Sequence, residues 1–436
     1  MAPRLLLAFL LGLCLHAESA RAAASGVGVD APELARAGPY AVGVSTLTIV
    51  QPSQPDPTAY DPKSPSLPRR DRALLLHVWY PAVAAPGATS VTYAGALTGE
   101  DGKDVVFSTP GAAIAEARPV AGSFPLVIMA HGYGGTPVAM SWLAENLASK
   151  GYVVVGPHFD DPPITDGAKF TGPLARRPLD IAFVAGRAQA LARAGNGVLA
   201  TADPARTVLI GYSMGGYGVL TAAGGALDPS LAAATHGALA SYVAGAPEAT
   251  SLTVEDVKTV VAISPAGRFG PAGAWGAAGL RGVTAPTLFI VGSEDHIVGY
   301  DPGVKTLFGQ ETRAPRYLLT FDNAGHSIGM NGAPAQMRAR LWDLDWWEDL
   351  VWRKARVTAI QQHFITAFLD RYVKGDLAKA AFLDVPEPVS DAGSWPDTLA
   401  AKYDAYSTGV APITAWRGFQ RAHSAGLELR FAPAGP

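Results

Sequence analysis

Gly211-Tyr212-Ser213-Met214-Gly215-Gly216, entered directly from the apolar run Val208-Leu209-Ile210, reads as a strand turning sharply into a helix with a serine at its apex. Such a turn crowds the backbone, so glycine-sized residues must flank it, and the bend lifts the serine hydroxyl into the open. In a chain with 48 glycines the pattern carries little weight alone. Its surroundings supply the weight: Asp203-Pro204 opens a turn, β-compatible residues follow, and a small-residue helix start comes after.

Working outward, apolar or β-branched runs at residues 73–80, 125–130, 151–155, 207–210, 257–264, 286–291 and 316–321 predict strands buried on both faces of a parallel sheet. Helical patterns fall between them at 138–150, 179–194 and 216–223. A last helix over 357–372 repeats Val357, Ile360, Phe364, Phe368 and Tyr372 on one face. Leu427-Glu428-Leu429-Arg430-Phe431 alternates as an edge strand does. Residues 26–72, rich in Pro, Gly and Asp, read as an irregular leader with one short strand at 41–50. Two segments exceed ordinary connection lengths, 225–256 and 327–356, and both are expected to be insertions. The expected fold class is therefore α/β, a mostly parallel central sheet flanked by helices, in a single domain over residues 25–436.

The chain has 436 residues, 49% hydrophobic and 16% charged, enough for a sizeable core. A net charge of −3 and the lack of a long Lys/Arg run give no reason to expect nucleic acid as a partner. Residues 1–24 have the make-up of an export signal: Arg4, an apolar stretch over 5–15, and Ala20-Arg21-Ala22 or Ala22-Ala23-Ala24 for cleavage. Eleven apolar residues are too few to span a bilayer, so no stable membrane anchor is expected and the product is periplasmic or secreted. The one cysteine, Cys14, lies inside that stretch, which excludes a thiol nucleophile and a disulfide from the exported protein.

A serine hydroxyl needs a base to take its proton, and the base needs an acid to hold its tautomer. Of nine histidines, only His326 sits in a Gly-flanked loop just after a late strand, in Asn323-Ala324-Gly325-His326-Ser327. The acid should stand at a strand end between serine and histidine. Asp295 or Glu294 in Gly292-Ser293-Glu294-Asp295-His296 qualifies, and the shorter Asp295 suits a rigidly aimed hydrogen bond better; Asp322 is a weaker competitor. An anionic intermediate needs two backbone donors. The Met214 amide is one, and His131-Gly132-Tyr133-Gly134-Gly135, after an early strand, offers the other at Tyr133. His158-Phe159-Asp160-Asp161 lacks a second histidine at ligand spacing, so no metal is expected. With no phosphate loop or G-x-G-x-x-G, no nucleotide cofactor is expected either. In the segment 327–356, Trp342, Trp346, Trp347 and Trp352 are threaded with Asp343, Asp345, Glu348 and Asp349. Such an amphipathic segment leaving the sheet at His326 is expected to wall the substrate site through Trp346 and Trp347.

Together these residues resemble the α/β-hydrolases. Within them the chain is similar to the bacterial branch of platelet-activating-factor acetylhydrolase-like and predicted dienelactone-hydrolase-like proteins. Val78-Trp79-Tyr80-Pro81, Arg177-Pro178-Leu179-Asp180-Ile181 and Phe368-Leu369-Asp370-Arg371-Tyr372-Val373-Lys374-Gly375-Asp376 strengthen the likeness, which spans about residues 40–385. It implies Ser213 as nucleophile, Asp295 as acid, His326 as base, and Tyr133 with Met214 as the oxyanion hole. Two positions depart from the pattern. The animal acetylhydrolases place the acid one strand earlier, where Ile263-Ser264-Pro265-Ala266 has no carboxylate. True dienelactone hydrolases carry cysteine in place of Ser213. The expectation is a serine carboxylic ester hydrolase for small, apolar, neutral or lipid-like esters. The alternatives are a polyester or cutin-type hydrolase, and a catalytically silent binding module on the same fold.

Overall fold

The computed structural model describes residues 28 to 435 except 29, 65, 270–272, 277, 396–412 and 420. The expected export signal lies outside the described residues. Twelve strands are present among those residues: β1 (Ala41–Pro55), β2 (Arg69–Ala82), β3 (Thr92–Thr98), β4 (Asp104–Pro110), β5 (Ile114–Ala115), β6 (Phe124–Ala130), β7 (Val153–His158), β8 (Ala202–Tyr212), β9 (Val257–Ile263), β10 (Thr287–Gly292), β11 (Arg316–Phe321) and β12 (Leu427–Ala432). Ten form one sheet in the order β12-β11-β10-β9-β8-β6-β7-β2-β1-β5, and β3 pairs with β4 in a separate hairpin. The run from β7 through β6, β8, β9 and β10 to β11 is parallel. At the flanks β2 joins β7, and β12 joins β11, antiparallel.

The continuous apolar strands have partners on both faces because successive side chains point to opposite sides. Along β6, Leu126, Ile128 and Ala130 enter one core with the helices Thr171–Arg193 and Met214–Ala222. Val127 and Met129 enter the other with Ser141–Ser149 and Lys354–Tyr372. Fully burying one such branched side chain is worth about 1.5–3 kcal/mol, which fixes the register of the central strands. The expected class, α/β with a mostly parallel sheet between helices, is the class observed. Among the described residues no helix is long and apolar enough to cross a membrane.

The observed layout differs from the expected one in three places. The strand expected at 41–50 in the leader runs on to Pro55: β1 is a fifteen-residue strand paired along β2, with a register shift between Gln51 and Gln54. Its neighbour on the other side, β5, is only two residues long, so Pro52 and Pro55 lie where no ladder donor is missed. The helix expected at 179–194 begins at Thr171 because the charges that masked its first turns are buried in ion pairs, Arg176 with Asp56 and Arg177 with Asp161. The β3–β4 hairpin was not expected at all. The segment 225–256 holds one short helix, Ser230–Ala234, and seats Leu227, Leu231, Leu239 and Val243 in the first core.

One buried acid carries a stability prediction. Glu311, after the helix Lys305–Gln310, has no exposed surface; burial pushes its carboxyl up to about 8, against the pull of Thr287 and Arg316. A carboxyl raised in the fold binds a proton that the unfolded chain has released, so stability falls as pH rises from about 4.5 to about 8. Glu311→Gln therefore stabilises the fold more at pH 8 than at pH 5, by a few kcal/mol at about 1.4 kcal/mol per pH unit, and raises the melting temperature accordingly. Melting curves at the two pH values check this; an equal gain at both removes the reading.

Candidate active site

The carboxyl ends of four strands of the parallel run, with β9 between the second and third, bring the sequence-predicted residues together, where open α/β sheets hold their ligands. After β6 comes His131-Gly132-Tyr133-Gly134-Gly135, after β8 Ser213, after β10 Asp295 and after β11 His326. Ser213 stands at φ 54° and ψ −117°, a region that non-glycine residues avoid. Its own neighbours make the bend possible. A Cβ at Gly211 would stand 2.3 Å from the Gly215 carbonyl oxygen, and one at Gly215 would stand 2.1 Å from that of Ala130. Both distances exclude any side chain. Ser213 is held by its N–H to the Ile263 carbonyl at 2.9 Å, while its own carbonyl accepts from Ala266 at 3.0 Å.

His326 Nδ1 donates to Asp295 Oδ2 at 2.8 Å, and the Ser213 hydroxyl donates to His326 Nε2 at 3.0 Å. The ionised carboxylate only accepts, which places the imidazole proton on Nδ1 and leaves Nε2 open toward the serine. The other Asp295 oxygen accepts from the Ile297 and Val298 amides at 3.0 and 3.1 Å. Burial alone would raise this carboxyl; the hydrogen bond and charge of His326 and the Val298 amide outweigh it and hold the group below its usual value. Glu294 is exposed and lies 3.8 Å from His296, and Asp322 bonds Ser293 at 3.3 Å, so neither competitor reaches the imidazole. Tyr212 was missed by the sequence reading. Its hydroxyl donates to the His326 carbonyl at 3.0 Å and its ring lies 5.2 Å from the imidazole, securing the histidine loop from below.

Met214 is the first residue of its helix, so its N–H has no intrahelical acceptor. Gly132 lies against the serine, where a Cβ would be 3.2 Å from that of Ser213, and this brings the Tyr133 segment beside it. Tyr133, Met214, Ser213 and His326 line a cleft of about 600 Å³ whose other walls include Ile164, Phe170, Leu174, Phe269, Ile297 and Trp346. Among the described residues, Arg268 is the one formally charged residue that lines it. A second groove of about 580 Å³ shares His326, Ile297 and Trp346 and continues past Glu294, Trp342, Asp345 and Asp349. Among the described residues no group of three or more His, Cys, Asp or Glu is arranged to hold a metal ion.

The two expected wall tryptophans separate. Trp346 lines both clefts and packs edge-on to Trp342 at 5.6 Å. Trp347 does not reach the serine; it has no exposed surface and packs edge-on to Phe107 of β4 at 4.9 Å. Neighbouring residues of a tight helical segment point to different sides, so only one of the pair can face the cleft. The hairpin and the insert touch again where Arg340 approaches Asp101, the Glu100 N–H meets Asp343 and Gln336 bonds Ser108. Trp346→Ala should raise KM for bulky esters more than for acetates with little change in Tm. Trp347→Ala should cost about 3–5 kcal/mol of stability. Steady-state kinetics on two acyl lengths beside melting curves separate the two effects, and matching behaviour of both variants sinks the assignment.

A family model described as PETase, PET hydrolase-like, matches residues 111–245. These residues include the Tyr133 loop and the Ser213 turn. Among solved structures, the ferulic acid esterase from Streptomyces cinnamoneus is similar at 20% identity, over 80% of this chain and 94% of that one, with a TM-score of 0.53. No curated protein matches in sequence. The sheet order, the serine turn after β8 and these two likenesses agree on the α/β-hydrolase fold.

Proposed function

We propose that the protein is an exported serine carboxylic ester hydrolase, with Ser213 as nucleophile, His326 as base and Asp295 as its orienting acid. The observation that carries this reading is the unbroken hydrogen-bond chain Asp295–His326–Ser213 opening into a largely apolar cleft. Ser213 Oγ attacks the ester carbonyl as its proton passes to His326 Nε2, and the Met214 and Tyr133 amides receive the negative oxygen. The C–O bond to the alcohol then breaks, and the imidazolium returns the proton to the departing oxygen. Water repeats the sequence on the acyl-enzyme and releases the acid. The lining of Ile164, Phe170, Leu174 and Phe269 suits an apolar acyl group, as in neutral or lipid-like esters. Export rests on the charged and apolar make-up of residues 1–24.

The second reading, a polyester-type hydrolase, is favoured by the PET hydrolase-like family match and by the groove that continues past His326. A fluorophosphonate probe tests the shared chemistry: it should label the wild type on Ser213 and leave Ser213→Ala unlabelled. Absence of labelling in a folded wild type would reduce the protein to a binding module. A panel of p-nitrophenyl esters of rising chain length, run beside a polyester film, then ranks the substrates.

A further inference from the structure

The loop that presents Tyr133 is pinned by two side chains outside the motif. Arg177 is almost fully buried on the helix Thr171–Arg193, with its guanidinium 3.8 Å from the centre of the Phe159 ring. Its Nη2 donates to Asp161 Oδ2 at 2.6 Å and to the Gly132 carbonyl at 3.4 Å. The same Asp161 oxygen accepts the Gly134 N–H at 3.0 Å, and the Asp161 side chain is 4% exposed. From the other side, the Phe159 N–H donates to His131 Nε2 at 3.2 Å, so His131 carries its proton on Nδ1 and donates it to the Gly132 carbonyl at 2.7 Å. Gly135 adds its N–H to that carbonyl at 3.2 Å.

Peptide geometry turns these contacts into an aim. In a trans peptide the carbonyl and the following N–H point in opposite directions. The Gly132 carbonyl and the Tyr133 N–H share one peptide plane, so donors that draw the carbonyl inward turn the Tyr133 N–H outward. The next plane, which holds the Gly134 N–H, is fixed by Asp161. The plane after Tyr133 is thus set by Asp161, remote in sequence, and the plane before it by His131 and Gly135 of the loop together with the remote Arg177. The charges also balance: a lone carboxylate beside the donors would repel a developing oxyanion, and Arg177 offsets it.

Resting on the esterase reading above, we propose that Asp161 and Arg177 are positioning residues that aim the Tyr133 N–H at the transition-state oxyanion. Losing an oxyanion donor outright costs about 10²–10³ in kcat, and misaiming one costs up to the lower end of that range. Asp161→Ala frees the Gly134 plane and should lower kcat about 100-fold with KM within about threefold. Asp161→Asn keeps an acceptor for Gly134 but loses the ion pair, and should lower kcat about tenfold.

The experiment measures kcat and KM on a p-nitrophenyl ester and counts active sites with a phosphonate. It also measures affinity for a boronic acid whose tetrahedral adduct on Ser213 mimics the oxyanion. The expected result is a graded kcat loss per titrated site, matched by an equal graded loss of boronate affinity. A kcat loss explained by fewer titrated sites, or an unchanged boronate affinity, overturns the proposal. Should the alanine variant not fold, the asparagine variant decides alone, and a kcat within threefold of wild type overturns it. Failure of the esterase reading itself is distinguishable, because the wild type would then show neither turnover nor phosphonate labelling.

Discussion

Ser213→Ala should lower kcat on any ester by about 10⁴–10⁶-fold while the protein melts within a few degrees of the wild type. The magnitude follows from the nucleophile being one part of a unit that acts together: without Oγ no acyl-enzyme forms, and only the oxyanion donors and the cleft remain to assist water. Stability is spared because the backbone, and not the hydroxyl, holds the turn. The Ser213 N–H and carbonyl bond Ile263 and Ala266, whereas its hydroxyl bonds His326. Alanine keeps the same φ of 54° at similar cost. Stopped-flow or prolonged steady-state assays on purified variant reach the required sensitivity. A variant retaining a tenth of the wild-type rate would remove Ser213 from the role of nucleophile.

The second large effect is expected at the acid. Asp295→Asn keeps shape and volume yet should cost about 10⁴-fold in kcat, because an amide that turns its N–H₂ toward His326 imposes the opposite tautomer. The imidazole proton then faces the Ser213 oxygen, which has nowhere to send its own. Glu294→Gln, on an exposed side chain, should stay within about threefold. The reverse ranking would transfer the role to Glu294. The sign of the pH effect also follows. The Asp295 carboxyl is held below its ordinary 3.8, so its contribution to stability is complete above that value and disappears only as pH falls through the lower, folded value. Mild acid should therefore leave the protein folded as far as this group is concerned, which a melting curve at about pH 5 checks.

Much of the candidate site was legible because it depends on local rules. Continuous apolar runs identify β6, β8, β10 and β11, and a short polar or glycine-rich loop after each carries a candidate residue. What escaped depends on partners far along the chain. The first turns of Thr171–Arg193 read as polar until Asp56 and Asp161 neutralise their arginines. The end of β1 looked unfit for a strand until its unpaired side accommodated Pro52 and Pro55. Asp161 itself read only as half of a poor metal cluster, since nothing in residues 158–161 records that Gly134 and Arg177 approach it. Trp346 and Trp347 are adjacent and chemically identical, so only the tertiary position of Phe107 distinguishes the cleft wall from the core.

The contact between the β3–β4 hairpin and the tryptophan-bearing insert has a consequence for anyone who would redesign this protein. Some 240 positions separate Phe107 from Trp347, yet the two stretches behave as a single transplantable part, joined by an aromatic edge contact and by Glu100, Asp101 and Ser108. A chimera that imports residues 327–356 alone would arrive with a large indole stripped of its seat. One that imports 92–110 as well would carry the seat with it. Recombination libraries on this scaffold should therefore place crossovers so that both stretches come from the same parent.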